Sequence, residues 1–180
     1  MDVVVRHWRE EDATALARAV VESLDHLRPW MPWAEEEPKS PAARLELIRR
    51  WERERMAGGD EFLGIWLDGQ LVGGCGLHRR IGPGGFELGY WVHRGFTRRG
   101  VATAAARQLC EHAFAAPSTD RVEIHHDRAN VASAGVAAAL GFERVGERRR
   151  APQAPADEGV DWIWRLTRAA FEARASTSSA

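Results

Sequence analysis

The sequence predicts one α/β domain, a mixed and mostly antiparallel sheet flanked by helices. Two observations carry that expectation. Three β-like runs joined by tight turns fill residues 62–93, as in an antiparallel meander, and from residue 100 onward helical and β-like runs alternate, as in units with a crossover connection. A chain of 180 residues can bury one core, and no internal repeat is present, so residues 1–170 read as a single domain. Residues 171–180 are mostly polar and read as a frayed tail.

Taken in order, Asp2–Arg6 is a β-branched run and hence a strand. Within residues 10–25, Ala13, Leu16, Ala17, Val20, Val21 and Leu24 recur at helical spacing. Residues 26–33 contain two prolines and no period; they read as a loop or a broken helix carrying bulky apolar groups. Ser40–Pro41 is a helix start, an N-cap followed by proline at the first helical position, and the helix runs to about Met56 before Gly58–Gly59. Phe62–Leu67, Leu71–Arg79 and Phe86–His93 are strands, the first two joined by the hairpin signal Asp68–Gly69. Gly100–Phe114 is an alanine-rich helix, Arg121–His126 a strand, 131–140 a helix and Phe142–Arg148 a strand. An irregular stretch, 151–159, leads into a last strand, Asp161–Thr167.

Composition narrows the function. With 44% hydrophobic and 28% charged residues the balance is globular, and a net charge of -1 gives no bulk electrostatic reason to expect a nucleic-acid partner. No apolar run approaches the roughly 18–20 residues of a membrane span. Met1–Arg6 lacks the basic-then-apolar order of a secretion signal, so a cytoplasmic protein with no membrane partner is expected. Cys75 and Cys110 stand without CxxC or His/Cys ligand spacing; they read as buried thiols, with neither a disulfide nor a metal site implied. Lys39 is the sole lysine, and every other cationic side chain of fixed charge is an arginine.

The most informative stretch is Phe96–Thr103 (FTRRGVAT), set between a strand and a helix. Gly100 removes a Cβ that would hold a ligand off the backbone, and Ala102 is small for the same reason. The first turn of the helix presents unpaired N–H groups at the positive end of its dipole, with Arg94, Arg98 and Arg99 adding charge, which suits a pyrophosphate. The plainer alternative is a basic loop before a helix that begins with glycine. Neither a Walker motif nor GxGxxG is present.

A second stretch, residues 121–142, ends a strand at His125–His126, caps a helix with Asn130 and closes it at Gly141–Phe142. With ELGYWVH (87–93), RRGVATAA (98–105), DRANVAS…ALGF (127–142) and the closing DWIWRLT, the chain resembles the GNAT superfamily of N-acyltransferases, in particular its RimJ/RimL-type ribosomal-protein branch. That resemblance spans residues 1 to about 170 and implies the acyl-CoA N-acyltransferase fold, with acetyl-CoA as co-substrate and an amine acceptor, either a peptide N-terminus or a small molecule. It implies that Arg98, Arg99, Gly100, Val101, Ala102 and Thr103 hold the CoA pyrophosphate through backbone N–H groups. It also implies that Trp91, Val92 and His93 bond the pantetheine arm and that Asn130 contacts CoA. Thr97 departs from the Gln or Arg common in the family. The tyrosine that many relatives carry seven residues after the asparagine is here Ala137.

Acyl transfer to an amine needs a base and a polarised thioester. Glu87 is one candidate base, an acid in an otherwise aromatic and apolar strand where desolvation disfavours the charged form, unless it faces solvent. His125 is the other, since imidazole ordinarily titrates near neutral pH; it is alternatively a satisfied rim histidine. Strand alternation puts Glu123 on the same face as His125. Ser133 is the best remaining proton donor to the leaving thiolate, or it simply bonds CoA or a helix carbonyl. Neither cysteine is placed to carry an acyl group, so direct attack in a ternary complex is expected. Trp30, Met31 and Trp33 are expected to floor an acceptor groove or to close the core, and Glu35–Glu37 to attract a cationic amine or to lie in solvent. A non-catalytic acyl-CoA sensor, or the same chemistry with succinyl-CoA, fits the same residues. An exposed apolar strand edge is expected to support a homodimer.

Overall fold

Alternation along each strand sorts the sheet's side chains onto two faces, and a different set of helices covers each. The computed structural model describes residues 2–177. Among them the sheet has seven strands, β1 (Val3–His7), β2 (Glu61–Leu67), β3 (Gln70–His78), β4 (Gly85–Val92), β5 (Arg121–Asp127), β6 (Glu143–Arg149) and β7 (Val160–Thr167). Their spatial order is β1-β2-β3-β4-β5-β7-β6. Every neighbouring pair is antiparallel except β4–β5, which the crossover helix makes parallel. The β2–β3 hairpin turns through Asp68 (φ 49°) and Gly69 (φ 81°), the two left-handed residues that a two-residue turn of matching twist requires.

The helices are α1 (Ala13–Val21), α2 (Leu24–Leu27), α3 (Pro41–Met56), α4 (Val101–Ala115), α5 (Val131–Ala139) and α6 (Arg168–Thr177). On one face, Val101, Ala105, Leu109 and Ala113 of α4 pack against Ile65, Leu88, Val122 and Ile124 in the main core. The opposite face is covered by α1 and α3, whose Leu16, Val20 and Ile48 join Trp8, Trp66 and Leu71 in a second cluster. No helix among the described residues is long and apolar enough to cross a membrane.

The structure departs from the sequence reading in three places. The helix expected over residues 10–25 is broken: a 3-10 turn covers Glu10–Asp12, and Ser23 (φ -113°, ψ 2°) separates α1 from α2. Residues 26–33 take the broken-helix alternative of the sequence reading: they contain the end of α2 and the start of a 3-10 turn, Pro32–Glu36. Where a frayed tail was expected from 171, α6 continues to Thr177; residues 178–180 lie outside the described residues. Finally, the open sheet edge is mostly charged: β6 is exposed along its whole length and carries Glu143, Arg144, Glu147, Arg148 and Arg149, with Val145 as its one exposed apolar side chain. The other edge, β1, is covered by Gln108 of α4, which accepts from the Val5 amide (2.9 Å) and donates to the Val3 carbonyl (2.6 Å).

Candidate active site

The only parallel strand pair among the described residues fails after three rungs. Gly85, Phe86 and Glu87 pair with Arg121, Val122 and Glu123, and beyond them β4 and β5 splay apart. The backbone groups of residues 88–92 on the side away from β3 therefore have no strand to bond. The splay opens into a cavity of about 1840 Å³ that extends along the α1 and α3 side of the sheet past Trp51 and Phe62, larger than the roughly 300–1,000 Å³ of an ordinary ligand pocket. Trp91, Val101, Ala102, Asn130 and Ser133 line it, with Glu87 and His125 near the point of the splay.

At one end of the cleft lies the turn before α4. Arg98 (φ 59°) and Gly100 (φ 76°) are both left-handed, and Gly100 is the helix N-cap. The first helical bond runs from the Ala104 amide to the Gly100 carbonyl (2.9 Å), so the amides of Val101, Ala102 and Thr103 have no acceptor within the helix. Arg94, Arg98 and Arg99 make no ion pair among the described residues, and Arg99 lies over the Phe96 ring at 5.2 Å. Open amides, a helix dipole and unneutralised guanidiniums are together suited to hold an anion.

The end of β4 behaves differently from the sequence reading at one residue. Val92 turns its side chain into the main core, and Trp91 lays its indole over Gly74, where an added Cβ would come within 2.6 Å of Nε1. His93, expected among the cofactor contacts, has both peptide groups engaged: its amide donates to Val72 O (2.7 Å) and its carbonyl accepts from Phe96 (2.8 Å). Its ring caps the Gly95 amide through Nδ1 and meets Glu22 through Nε2, so it buttresses the turn.

Where the strands part, charged groups form a chain. Arg80 donates through Nε (2.9 Å) and a terminal nitrogen to the two Glu87 oxygens, so Glu87 is neither isolated nor solvent-facing but a buried ion-paired acid. Across from it, His125 Nε2 bonds Glu123 (2.7 Å), and Glu123 is held by Arg165 (2.7 Å). Burial pushes the Glu123 carboxyl up, but His125 and Arg165 pull it further down, below its ordinary range. His125 Nδ1 is buried without a hydrogen-bond partner, 3.4 Å from Glu87. Asn130 caps α5 by accepting from the Ser133 amide (3.3 Å).

A model of the acetyltransferase (GNAT) domain matches residues 2–143. The chain belongs to the GNAT family of N-acetyltransferases. Over 149 residues it is 29% identical to YdaF of Bacillus subtilis (strain 168), provisionally assigned as a ribosomal N-acetyltransferase; the match covers 82% of this chain and 81% of YdaF. The structure of RimJ from Mycobacterium smegmatis, in complex with CoA-disulfide, matches with a TM-score of 0.85 at 24% identity, covering 98% of this chain and 89% of RimJ. RimL, a ribosomal L7/L12 alpha-N-protein acetyltransferase with coenzyme A, matches with a TM-score of 0.84 at 19% identity, covering 93% and 95%. At those identities the two structures speak to the fold.

This GNAT acetyltransferase also brings in a residue that the sequence reading missed. Tyr90, its single tyrosine, points from β4 toward α5 and shares a hydrogen bond with Ser133 Oγ at 2.8 Å. Burial pushes its phenol up to about 12, against the opposing pull of Ser133. Ser133 and Ala137 lie four apart on one face of α5, so a phenol from a strand reaches the helix face on which the family's tyrosine is lacking. Strand alternation alone carried the signal, since Tyr90 and Val92 share a face opposite Glu87. The segment carrying Trp30, Met31 and Trp33 meets the irregular stretch before β7 through the Ala156 amide and the Pro29 carbonyl (3.0 Å), and Trp33 lies 6.2 Å from Trp91. The acidic run beside them is largely engaged: Glu37 is buried against Arg44 (2.6 Å), and Glu36 holds Lys39 (2.7 Å). Both cysteines are buried, and burial pushes the Cys75 and Cys110 thiols up, the latter to about 12.

Proposed function

We propose that this acetyltransferase moves an acetyl group from acetyl-CoA to the N-terminal amine of a protein acceptor, of the ribosomal kind named for its relatives, in the cytoplasm. The observation that carries the reading is the splay of β4 from β5 beside the left-handed Gly100 turn. One arm of that cleft offers free backbone groups to a pantetheine chain, and the turn offers amides and guanidiniums to a pyrophosphate.

The amine nitrogen attacks the thioester carbonyl carbon while both substrates are bound; a C–N bond forms and the C–S bond breaks. The proton lost by the amine goes to His125 Nδ1, the ring nitrogen left without a partner, with Glu87 and Glu123 flanking the ring. The leaving thiolate takes a proton from the Ser133–Tyr90 pair. Buried thiols of raised pKa make poor nucleophiles, which supports direct transfer over an acyl-enzyme.

A non-catalytic acyl-CoA sensor is the second reading, favoured by Ala137, where relatives carry a tyrosine. Calorimetric titration with acetyl-CoA, beside Gly100→Glu, tests the cofactor site: binding is expected in the wild type and lost in the variant. Thiol release with an N-terminal peptide library then separates enzyme from sensor. Binding without release for any peptide or small amine would leave the sensor, and release with succinyl-CoA alone would change the donor.

A further inference from the structure

On the face of the sheet that α4 covers, at the end of α4 remote from the Gly100 turn, three side chains from three elements converge. Val3 and Val5 of β1 point into the core beneath α4, so alternation sends His7 to the same face. Glu61 of β2 shares that face with Leu63 and Ile65. On α4, His112 lies one turn beyond Gln108, the residue that grips β1. The result is that His7 Nε2 and His112 Nε2 stand 3.1 and 2.9 Å from the same Glu61 oxygen, with all three atoms within 4.8 Å of one another.

We propose that His7, Glu61 and His112 form a binding site for a zinc-class divalent cation, which ties the edge strand β1 and its neighbour β2 to the last turn of α4. The geometry points there because tetrahedral zinc, with bonds of about 2.0–2.2 Å, spaces its ligands about 3.3 Å apart; both imidazole nitrogens stand near that distance from the Glu61 oxygen and within 4.8 Å of each other. Two imidazoles and one carboxylate suit zinc, nickel or copper, whereas magnesium and calcium prefer all-oxygen sets. The half-exposed His112 leaves a fourth position open to water. A cation at this place is also favoured by the C-terminal end of the α4 dipole. Arg55, whose field reaches Glu61 and His112, is itself neutralised by Glu52 at 2.9 and 2.6 Å. Ligand spacing in the sequence gave no sign of this site, because its members are far apart along the chain and only the fold joins them.

Along α4 the site lies roughly 16 Å from Val101, so it is separate from the acetyl-transfer machinery. Untagged, chelator-treated protein is titrated with zinc chloride by calorimetry, beside His7→Ala and His112→Ala. One equivalent is expected to bind the wild type, with affinity at least about tenfold weaker in each variant. Zinc at a hundredfold excess over its dissociation constant raises the wild-type melting temperature by about 5 °C and leaves the His112→Ala value unmoved. Cobalt(II) develops the visible bands of a tetrahedral site in the wild type, and magnesium produces no heat. Both variants keep acetyl-transfer activity and far-ultraviolet dichroism, which excludes misfolding as the cause. Equal zinc binding in His7→Ala/His112→Ala, or binding with no thermal shift, overturns the proposal.

Discussion

A buried ring nitrogen without a hydrogen-bond partner destabilises a fold by about 1–3 kcal/mol, and His125 Nδ1 is one. Glu87, 3.4 Å away, offsets part of that cost. His125→Gln should lower kcat about a hundredfold or more while leaving the acetyl-CoA dissociation constant unchanged, measured by thiol release and calorimetry. An unchanged kcat would return His125 to a structural role. Tyr90→Phe keeps the ring packing and removes only the bond to Ser133, so its effect should fall on kcat as well. Away from the cleft, Asp12 shows how pairing couples to pH. Burial pushes its carboxyl up, but the Arg6 fork (2.8 and 2.9 Å) and the Arg9 amide pull it further down, to below its ordinary 3.8. A carboxylate lowered on folding stabilises the fold above its unfolded value, and that contribution fades as pH falls through the folded value. Asp12→Asn should thus lower stability by about 2 kcal/mol at pH 7 in urea melts, with the gap to wild type closing below about pH 4. At this scale the sequence shows types but not partners. Glu87 was legible as an acid in an apolar strand, whereas Arg80, Arg165 and Tyr90 join the site only through cross-strand and strand–helix contacts.

Elements were legible where their causes are local. The Asp68–Gly69 hairpin follows from two residues that tolerate left-handed backbone, and α3 follows from the Ser40 cap, whose hydroxyl accepts from the Ala43 amide at 3.2 Å. They were illegible where a distant group intervenes. The break at Ser23 is held by the Arg94 amide, which donates to the Ser23 hydroxyl at 3.2 Å from 71 residues away. The last helix exists because Arg168 satisfies the Phe114 and Ala116 carbonyls at the end of α4, and because Phe171 stacks on Phe114 at 4.8 Å. Phe171→Ala should therefore unfold α6 ahead of the sheet, seen as early amide exchange confined to 168–177. Within α4, Leu109 is fully buried, and Leu109→Ala should remove about 3 kcal/mol in a denaturant melt.

At the scale of the molecule, one face of the sheet carries α4 with the Gly100 turn at its start, and the other carries α1 and α3 with the tryptophan cluster. The cleft passes between strands, so each substrate can approach from its own side. The order of meander and crossover announced this architecture in the sequence; the splay did not, because the length of strand pairing depends on partners that no local window contains. The open edge, β6, carries two acids and three arginines, so a dimer built on it would be held largely by charge and would weaken as salt rises. Sedimentation at low and high salt checks this; a dimer indifferent to salt lies elsewhere on the surface. The pair between Lys39 and Glu36 has a consequence for the catalyst as a chemical in its own medium. Thioesters acylate amines without help, slowly, wherever an uncharged amine waits. This surface carries its positive charge on guanidiniums, which stay protonated and do not react, and it has Lys39 as its only lysine. Living beside its own reactive donor, the enzyme presents almost nothing for that donor to modify. An acetyl group found on it after turnover would therefore report one side chain, or the chain's own α-amine.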